Sequence, residues 1–228
     1  MASTLNLYAC DSLTPFRFQA PFTALCAGAT QSGKSTFWKG VCQEKLIEPF
    51  PSRIQWHFPA GTEQGLHDEL LQTVPNLTLR IGLPDFNNPD FIRDCHDTLL
   101  IVDDLLFEIN NKDMGLAKFF SIHSHHSACS IVLLTQTLFF DNKQFRMAAL
   151  NSGYLILFKS HRFAAQISLL ARQISSVCYS LASAYQHCIT QSSKPYTYLI
   201  VDLTCSCPEK GRLRSDIFSR DLFNSVYL

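Results

Sequence analysis

F-T-A-L-C-A-G-A-T-Q-S-G-K-S-T, residues 22–36, joins an apolar run to a glycine-bracketed turn and then to a helix-forming segment. A strand, a glycine-rich turn and a helix N-terminus in that order aim backbone N–H groups and the positive end of the helix dipole at one point. That is a cradle for phosphate. Gly28, Ala29, Thr30, Gln31, Ser32, Gly33, Lys34, Ser35 and Thr36 therefore form the candidate nucleotide-binding loop. Gly28 and Gly33 allow the tight turn and close backbone approach, Lys34 is placed to reach the β- and γ-phosphates, and Ser35 offers a hydroxyl to Mg²⁺. ATP and Mg²⁺ are the expected cofactors.

Two further apolar runs end in polar residues suited to the same chemistry. T-L-L-I-V-D-D-L-L, residues 98–106, is a strand closing on two carboxylates. Asp103 is the candidate Mg²⁺ residue, acting through water, and Asp104 is placed to orient or deprotonate the attacking water. S-I-V-L-L-T-Q, residues 130–136, ends in Thr135 and Gln136, and Gln136 is a candidate contact for the γ-phosphate or the water. Three such strand ends describe a hydrolase with an extra strand between the phosphate-loop strand and the Mg²⁺ strand.

Similar β-rich runs recur at 54–58, 77–80, 154–158 and 196–201, and several of the runs are apolar on both faces, as strands covered on both sides are. Helix-forming stretches at 34–46, 63–73, 113–122, 142–150 and 163–190 separate them, and G-L-P-D-F-N-N-P-D at 82–90 reads as a loop. The fold class expected is α/β, a P-loop NTPase of the ASCE, RecA/FtsK-like kind, with a mainly parallel sheet and helices on both faces. Residues 1–228 read as one domain, a length that buries a core without disulfides.

The 19 basic and 19 acidic residues cancel, so no global field draws the chain onto nucleic acid, and any DNA contact must be local. Lys112, Lys118, Lys143 and Lys159 are candidate contributors to such a contact. Nine cysteines at irregular spacing form no disulfide framework, and the N-terminus lacks a secretory pattern, so the expected setting is intracellular, with no membrane partner. The I-H-S-H-H cluster at 122–126 and the pair Cys205 and Cys207 lack the spacing of a structural zinc site. Residues 106–115, directly after the acidic pair, read as a mobile loop.

The motifs together resemble the FtsK/HerA superfamily of ring-forming DNA motors, and within it the virus-type genome-packaging ATPases of polinton-like viruses, adintoviruses and poxviruses. The resemblance spans nearly the whole chain. It rests on G-A-T-Q-S-G-K-S-T, I-V-D-D-L, H-H-S-A-C-S-I-V-L-L-T-Q-T-L-F, R-M-A-A-L-N-S-G-Y-L-I-L-F-K-S-H-R, L-L-A-R-Q and Y-L-I-V-D-L-T-C-S-C-P-E-K-G-R-L-R-S-D-I-F. It implies that Gln136 is the γ-phosphate sensor, and Arg146 and Asn151 carry the match that follows it. The chain departs from the cellular motors at His125 and Ala128, where those have arginine and glycine.

What the resemblance implies is translocation of double-stranded DNA by a pentameric or hexameric homo-oligomeric ring, filling a viral capsid through its portal vertex, in the nucleus or cytoplasm of an infected cell or with the virion. In a ring a neighbour's arginine completes each site, and Arg146 and Arg162 are the candidates. Two other readings compete. A small-molecule or nucleotide kinase shares the phosphate loop but needs an acceptor pocket and usually an arginine-rich lid, and a non-hydrolysing switch has no use for Asp104 and Gln136.

Overall fold

The computed structural model describes residues 7–10, 16–62, 64–160, 162–174, 178–191, 196–208, 211–218 and 224–227. The first half of the chain gives β1 (Leu7–Cys10), β2 (Phe18–Gln19), β3 (Thr23–Ala27), α1 (Lys34–Gln43), β4 (Ile47–Glu48), β5 (Arg53–Phe58), α2 (Gln64–Thr73), β6 (Leu77–Ile81), α3 (Pro89–Asp94) and β7 (Thr98–Asp103). A short helical turn (Leu106–Glu108), α4 (Gly115–Lys118), a π-helical turn (Phe119–His123) and α5 (Ser124–His126) follow. The remainder comprises β8 (Ser130–Thr135), α6 (Lys143–Leu150), β9 (Tyr154–Phe158), α7 (Ala164–Gln173), α8 (Cys178–Gln191), β10 (Tyr198–Asp202), β11 (Leu213–Ser215) and β12 (Asn224–Tyr227).

Ten strands form one sheet in the order β1-β12-β11-β10-β9-β3-β8-β7-β5-β6. From β9 to β6 the pairings are parallel, and from β9 to β1 they are antiparallel. The strand inserted between the phosphate-loop strand and the acidic strand is β8, as the three strand-end motifs require. Register fixes the three ends side by side: Ala27 pairs with Thr135, and Asp103 with Leu134.

Because β3, β7, β8 and β9 are buried on both faces, their alternate residues feed two separate cores. Leu25, Leu100, Leu133 and Leu157 pack beneath α4, α6, α7 and α8, with Phe119, Phe120 and Phe145 filling the space. Cys26, Ile101, Leu134 and Ile156 pack against α1 and α2, where Phe37, Trp38 and Leu70 meet Phe18 and Phe22. The nucleotide-loop helix therefore owns one face of the sheet, and α6 belongs to the other.

Several expectations need correction. The 82–90 stretch is not all loop, because Asn88 accepts from the Asp90 N–H and Pro89 opens a six-residue helix, α3, that carries no apolar periodicity to announce it. The 163–190 stretch divides into α7 and α8, with residues 175–177 between them outside those described. The expected 63–73 helix is present from Gln64, and Glu63 lies outside the described residues. The short strands β1, β2, β4, β11 and β12 are additions to the seven expected.

The segment 106–115, expected as mobile, is tied down. Asn142 Nδ2 donates to the Ile109 carbonyl at 2.9 Å, and Gln144, buried in α6, donates to the Asn110 carbonyl and to Asp113 Oδ1 while accepting from Leu116 N at 2.9 Å. Burial of both amides without these bonds would be costly, so the clamp and the loop require each other. Phe107, in this segment, is left 91% exposed.

Ala128 has φ 48. That is the left-handed region, favourable for glycine and strained for alanine. Ala128→Gly is expected to stabilise the protein by about 0.5–1 kcal/mol, the left-handed strain of ~1–2 kcal/mol relieved less ~0.4–1 kcal/mol of added unfolded-chain entropy. The measurement is the urea midpoint, and a midpoint unchanged or lowered would refute the strain.

Candidate active site

The loop from Gly28 to Gly33 leaves β3 through a backbone bond from Gly28 N to Thr135 O, at 3.0 Å, that ties it to the end of β8. A Cβ at Gly28 would lie 2.5 Å from Ser32 Oγ and 2.6 Å from Phe158 Cβ, so only glycine fits. Gly33 has φ 98, and a Cβ there would meet the ring of Tyr196 at 2.8 Å. Gly33 caps α1 with no side-chain acceptor, and no acidic residue occupies the first turn. The N–H groups of that turn are thus left for an anion, with no carboxylate of the helix itself to compete for them.

The side chains around this cradle pair with one another. Lys34, buried, donates from Nζ to the Gly28 and Ala29 carbonyls at 3.0 and 3.1 Å. Ser35 Oγ donates to Asp103 Oδ2 at 2.9 Å, and the Trp56 indole N–H donates to the same oxygen at 3.2 Å. Burial pushes the Asp103 carboxyl above the usual carboxylate range. The bonds from Ser35 and Trp56 oppose that rise, and the Asp104 charge adds to it.

Asp104, one residue past the strand, has φ 56, a conformation that Asp tolerates better than most residues. The turn brings its carboxylate to Gln136, whose Nε2 donates to Asp104 Oδ2 at 2.7 Å. Sequence-expected residues from three strand ends therefore meet: the loop and Lys34 from β3, Asp103 and Asp104 from β7, and Gln136 from β8.

A cavity of about 570 Å³ opens over them, lined by Thr30, Gln31, Lys34, Ser35, Asp103 and Asp104 on one side. The β5–α2 connection, Phe58 to Thr62, with His67, forms a further wall, while Trp56 lies against Asp103 and Tyr196 against Gly33. This wall was missed in the sequence. The signal for it was Trp56 in an otherwise buried strand, since an indole N–H there must find an acceptor. The cradle fits a nucleotide phosphate on two counts: the glycine positions are filled to the limit by neighbours, and Ser32 Oγ is buried without a partner. Hydroxyl and carboxylate oxygens at Ser35 and Asp103 are the hard donors that Mg²⁺ takes.

The arginines lie elsewhere. Arg146, in α6, is exposed, sits 3.7 Å from Asp141, and borders a separate apolar cavity of about 670 Å³ between α6 and α7. Arg162 is exposed just beyond β9. Neither lines the nucleotide cavity, where Lys34 and His67 are the basic side chains among the described residues. Asn151 is placed as a joint: its Nδ2 closes α6 on the Met147 carbonyl, and its own carbonyl accepts from Thr23 Oγ1 at 2.6 Å, fastening α6 to β3.

Among the described residues, no group of three or more His, Cys, Asp or Glu assembles a metal cage. His125 and His126 are exposed, and Cys205 and Cys207 lie in the β10–β11 connection. No described helix is long and apolar enough to cross a membrane.

No family model and no curated protein matches the chain. Solved structures do. The genome packaging NTPase B204 from Sulfolobus turreted icosahedral virus 2, in complex with sulfate, superposes with a TM-score of 0.50 at 15% identity, over 80% of this chain and 91% of B204. Its complex with ATP-gammaS gives 0.49 at 16% identity, over 80% and 92%. A KaiC-like protein, PH0186, from Pyrococcus horikoshii OT3 gives 0.49 at 13% identity, over 92% of each chain. The fold is that of the P-loop NTPases, with a viral packaging NTPase among its structural neighbours.

Because the half-buried Asp103 charge opposes folding in the nucleotide-free protein, stability is lost as pH rises from the ordinary carboxylate range through the raised folded one. Asp103→Asn should therefore raise Tm at pH 7 by about 2–4 °C, with the gain shrinking in acid where Asp103 is neutral in both states. Calorimetry across pH tests this, and a Tm equal to or below that of the unaltered protein at pH 7 would sink it.

Proposed function

We propose that this chain is a Mg²⁺-dependent ATPase that drives double-stranded DNA translocation as a subunit of a viral genome-packaging ring. The observation that carries the hydrolase reading is Asp104 held by Gln136 at the ends of adjacent strands β7 and β8, beside a phosphate cradle. A nucleotide switch needs the cradle alone. An amide-held carboxylate is what water activation needs.

In this reading the first-turn N–H groups of α1 and Lys34 bind the phosphates, with Lys34 leaving the Gly28 and Ala29 carbonyls to do so. Ser35 and Asp103 would hold Mg²⁺, Asp103 through water, and the ion would supply neutralisation of the phosphate charge. Asp104 takes the proton of a water whose oxygen bonds to the γ-phosphorus as the bond to the β–γ bridging oxygen breaks, and Gln136 fixes the carboxylate for that transfer. The absence of any arginine among the described residues of the cavity wall supports a site completed by a neighbouring subunit, with Arg146 or Arg162 as donor. The shared fold with a packaging NTPase supports DNA as the object moved, as does the motif resemblance.

The zero net charge limits DNA contact to a few phosphate-directed lysines per subunit, multiplied around a closed head-to-tail ring. ATP turnover should rise with long double-stranded DNA and lose that stimulation steeply with salt, while Lys34→Ala and Asp104→Asn abolish it. Phosphate transfer to a small hydroxyl compound without any DNA effect would establish a kinase instead.

The interface donor has its own test. Either Arg146→Ala or Arg162→Ala should bind ATP without turnover and regain activity when mixed with Lys34→Ala subunits, each supplying what the other lacks. An absence of regain for both would overturn a donor drawn from this pair.

A further inference from the structure

The hydrolysis scheme makes no use of Trp56, yet this side chain is bonded to the metal carboxylate. Trp56 is 1% exposed in β5, and the register pairs it with Ile101 of β7, which puts it on the same sheet face as Asp103, two residues on. Its Nε1–H and the Ser35 hydroxyl are the side-chain donors to Asp103 among the described residues, and both reach the same oxygen, Oδ2. The two donors differ in what they are free to do. A serine hydroxyl rotates and has another task at the cation, whereas a buried indole is locked by packing and donates only.

When Ser35 turns its hydroxyl to Mg²⁺, the carboxylate loses one of its two anchors. We infer that Trp56 is a positioning residue for the metal, holding Oδ2 of Asp103 in place as Ser35 leaves it, so that the other carboxylate oxygen stays available to the water shell of the ion. This rests on Asp103 and Ser35 being the Mg²⁺ residues. The choice of residue fits the role: donors that orient a ligating group work only if they are themselves immobile, and their loss costs about 10–100-fold in metal affinity. Phenylalanine would keep an aromatic ring in β5 but remove the N–H donor, leaving Asp103 freer to swing.

The competing account is that the indole borrows Asp103 merely to satisfy its own N–H. Titration of a fluorescent ADP analogue onto full-length Trp56→Phe, with Mg²⁺ varied and then in EDTA, separates the two. The Mg²⁺ concentration for half-maximal enhancement should rise about 10–100-fold, with affinity in EDTA moving no more than about 2-fold. An unchanged Mg²⁺ midpoint, or equal losses with and without Mg²⁺, would overturn the role of Trp56 alone. Nucleotide binding indifferent to Mg²⁺ in the unaltered chain would overturn the metal assignment and this inference with it.

A measurement on the unaltered protein covers the case in which Trp56→Phe does not fold. The chain has two tryptophans, Trp38 and Trp56. In a nitrogen–proton correlation spectrum the Trp56 indole signal should move when Mg²⁺ is added to the ADP complex, and that of Trp38 should stay. A stationary Trp56 signal during Mg²⁺-dependent binding would refute the inference.

Discussion

A half-buried carboxylate facing the open N-terminus of a helix organises this molecule. Asp103 ends β7, and Ser35 opens α1, and the 2.9 Å bond between them spans the gap where a nucleotide's phosphates belong. Everything around it serves that juxtaposition. The parallel register sets the ends of β3, β8 and β7 side by side, and the packing of Phe37 and Trp38 against Cys26 and Ile101 holds α1 over them. The cost is evident in the carboxyl's resistance to ionisation, because water has been removed before the compensating cation arrives. Sites of this kind trade stability of the free protein for readiness to bind.

How much of this could be read from the sequence follows from what each segment buries. β3, β7, β8 and β9 are apolar because both sheet faces are covered, so their runs stand out, and the residues at the ends of β3, β7 and β8 mark the site. β11 and β12 are short and mixed in composition, L-R-S and N-S-V-Y, and β2 and β4 are two residues each, so no period had room to develop. α3 depends on one capping asparagine and a proline. The further wall of the cavity was hidden for a different reason: Phe58 to Thr62 acquires meaning only when β5 is seated next to β7, a long-range fact no local pattern encodes.

The self-paired state of the site has chemical logic. Lys34 rests on loop carbonyls, Ser35 and Trp56 on Asp103, and Gln136 on Asp104, so the charged and polar groups that would be exposed by an empty cradle are satisfied internally. Ser32 Oγ, buried without a partner, is the exception that only an incoming acceptor removes.

Asn142 and Gln144 give the region beyond the acidic pair a stiffness that has a consequence of its own. Their amides fasten the loop after Asp104 to the first turn of α6, the turn that also carries Arg146. Apart from Asp113, the acceptors in this joint are neutral, and the bonds are buried or part-buried, so salt screens them less than it screens surface charge pairs. The loop and the helix therefore behave as one rigid crank across buffers in which surface charge pairs, such as Arg146 with Asp141, come and go.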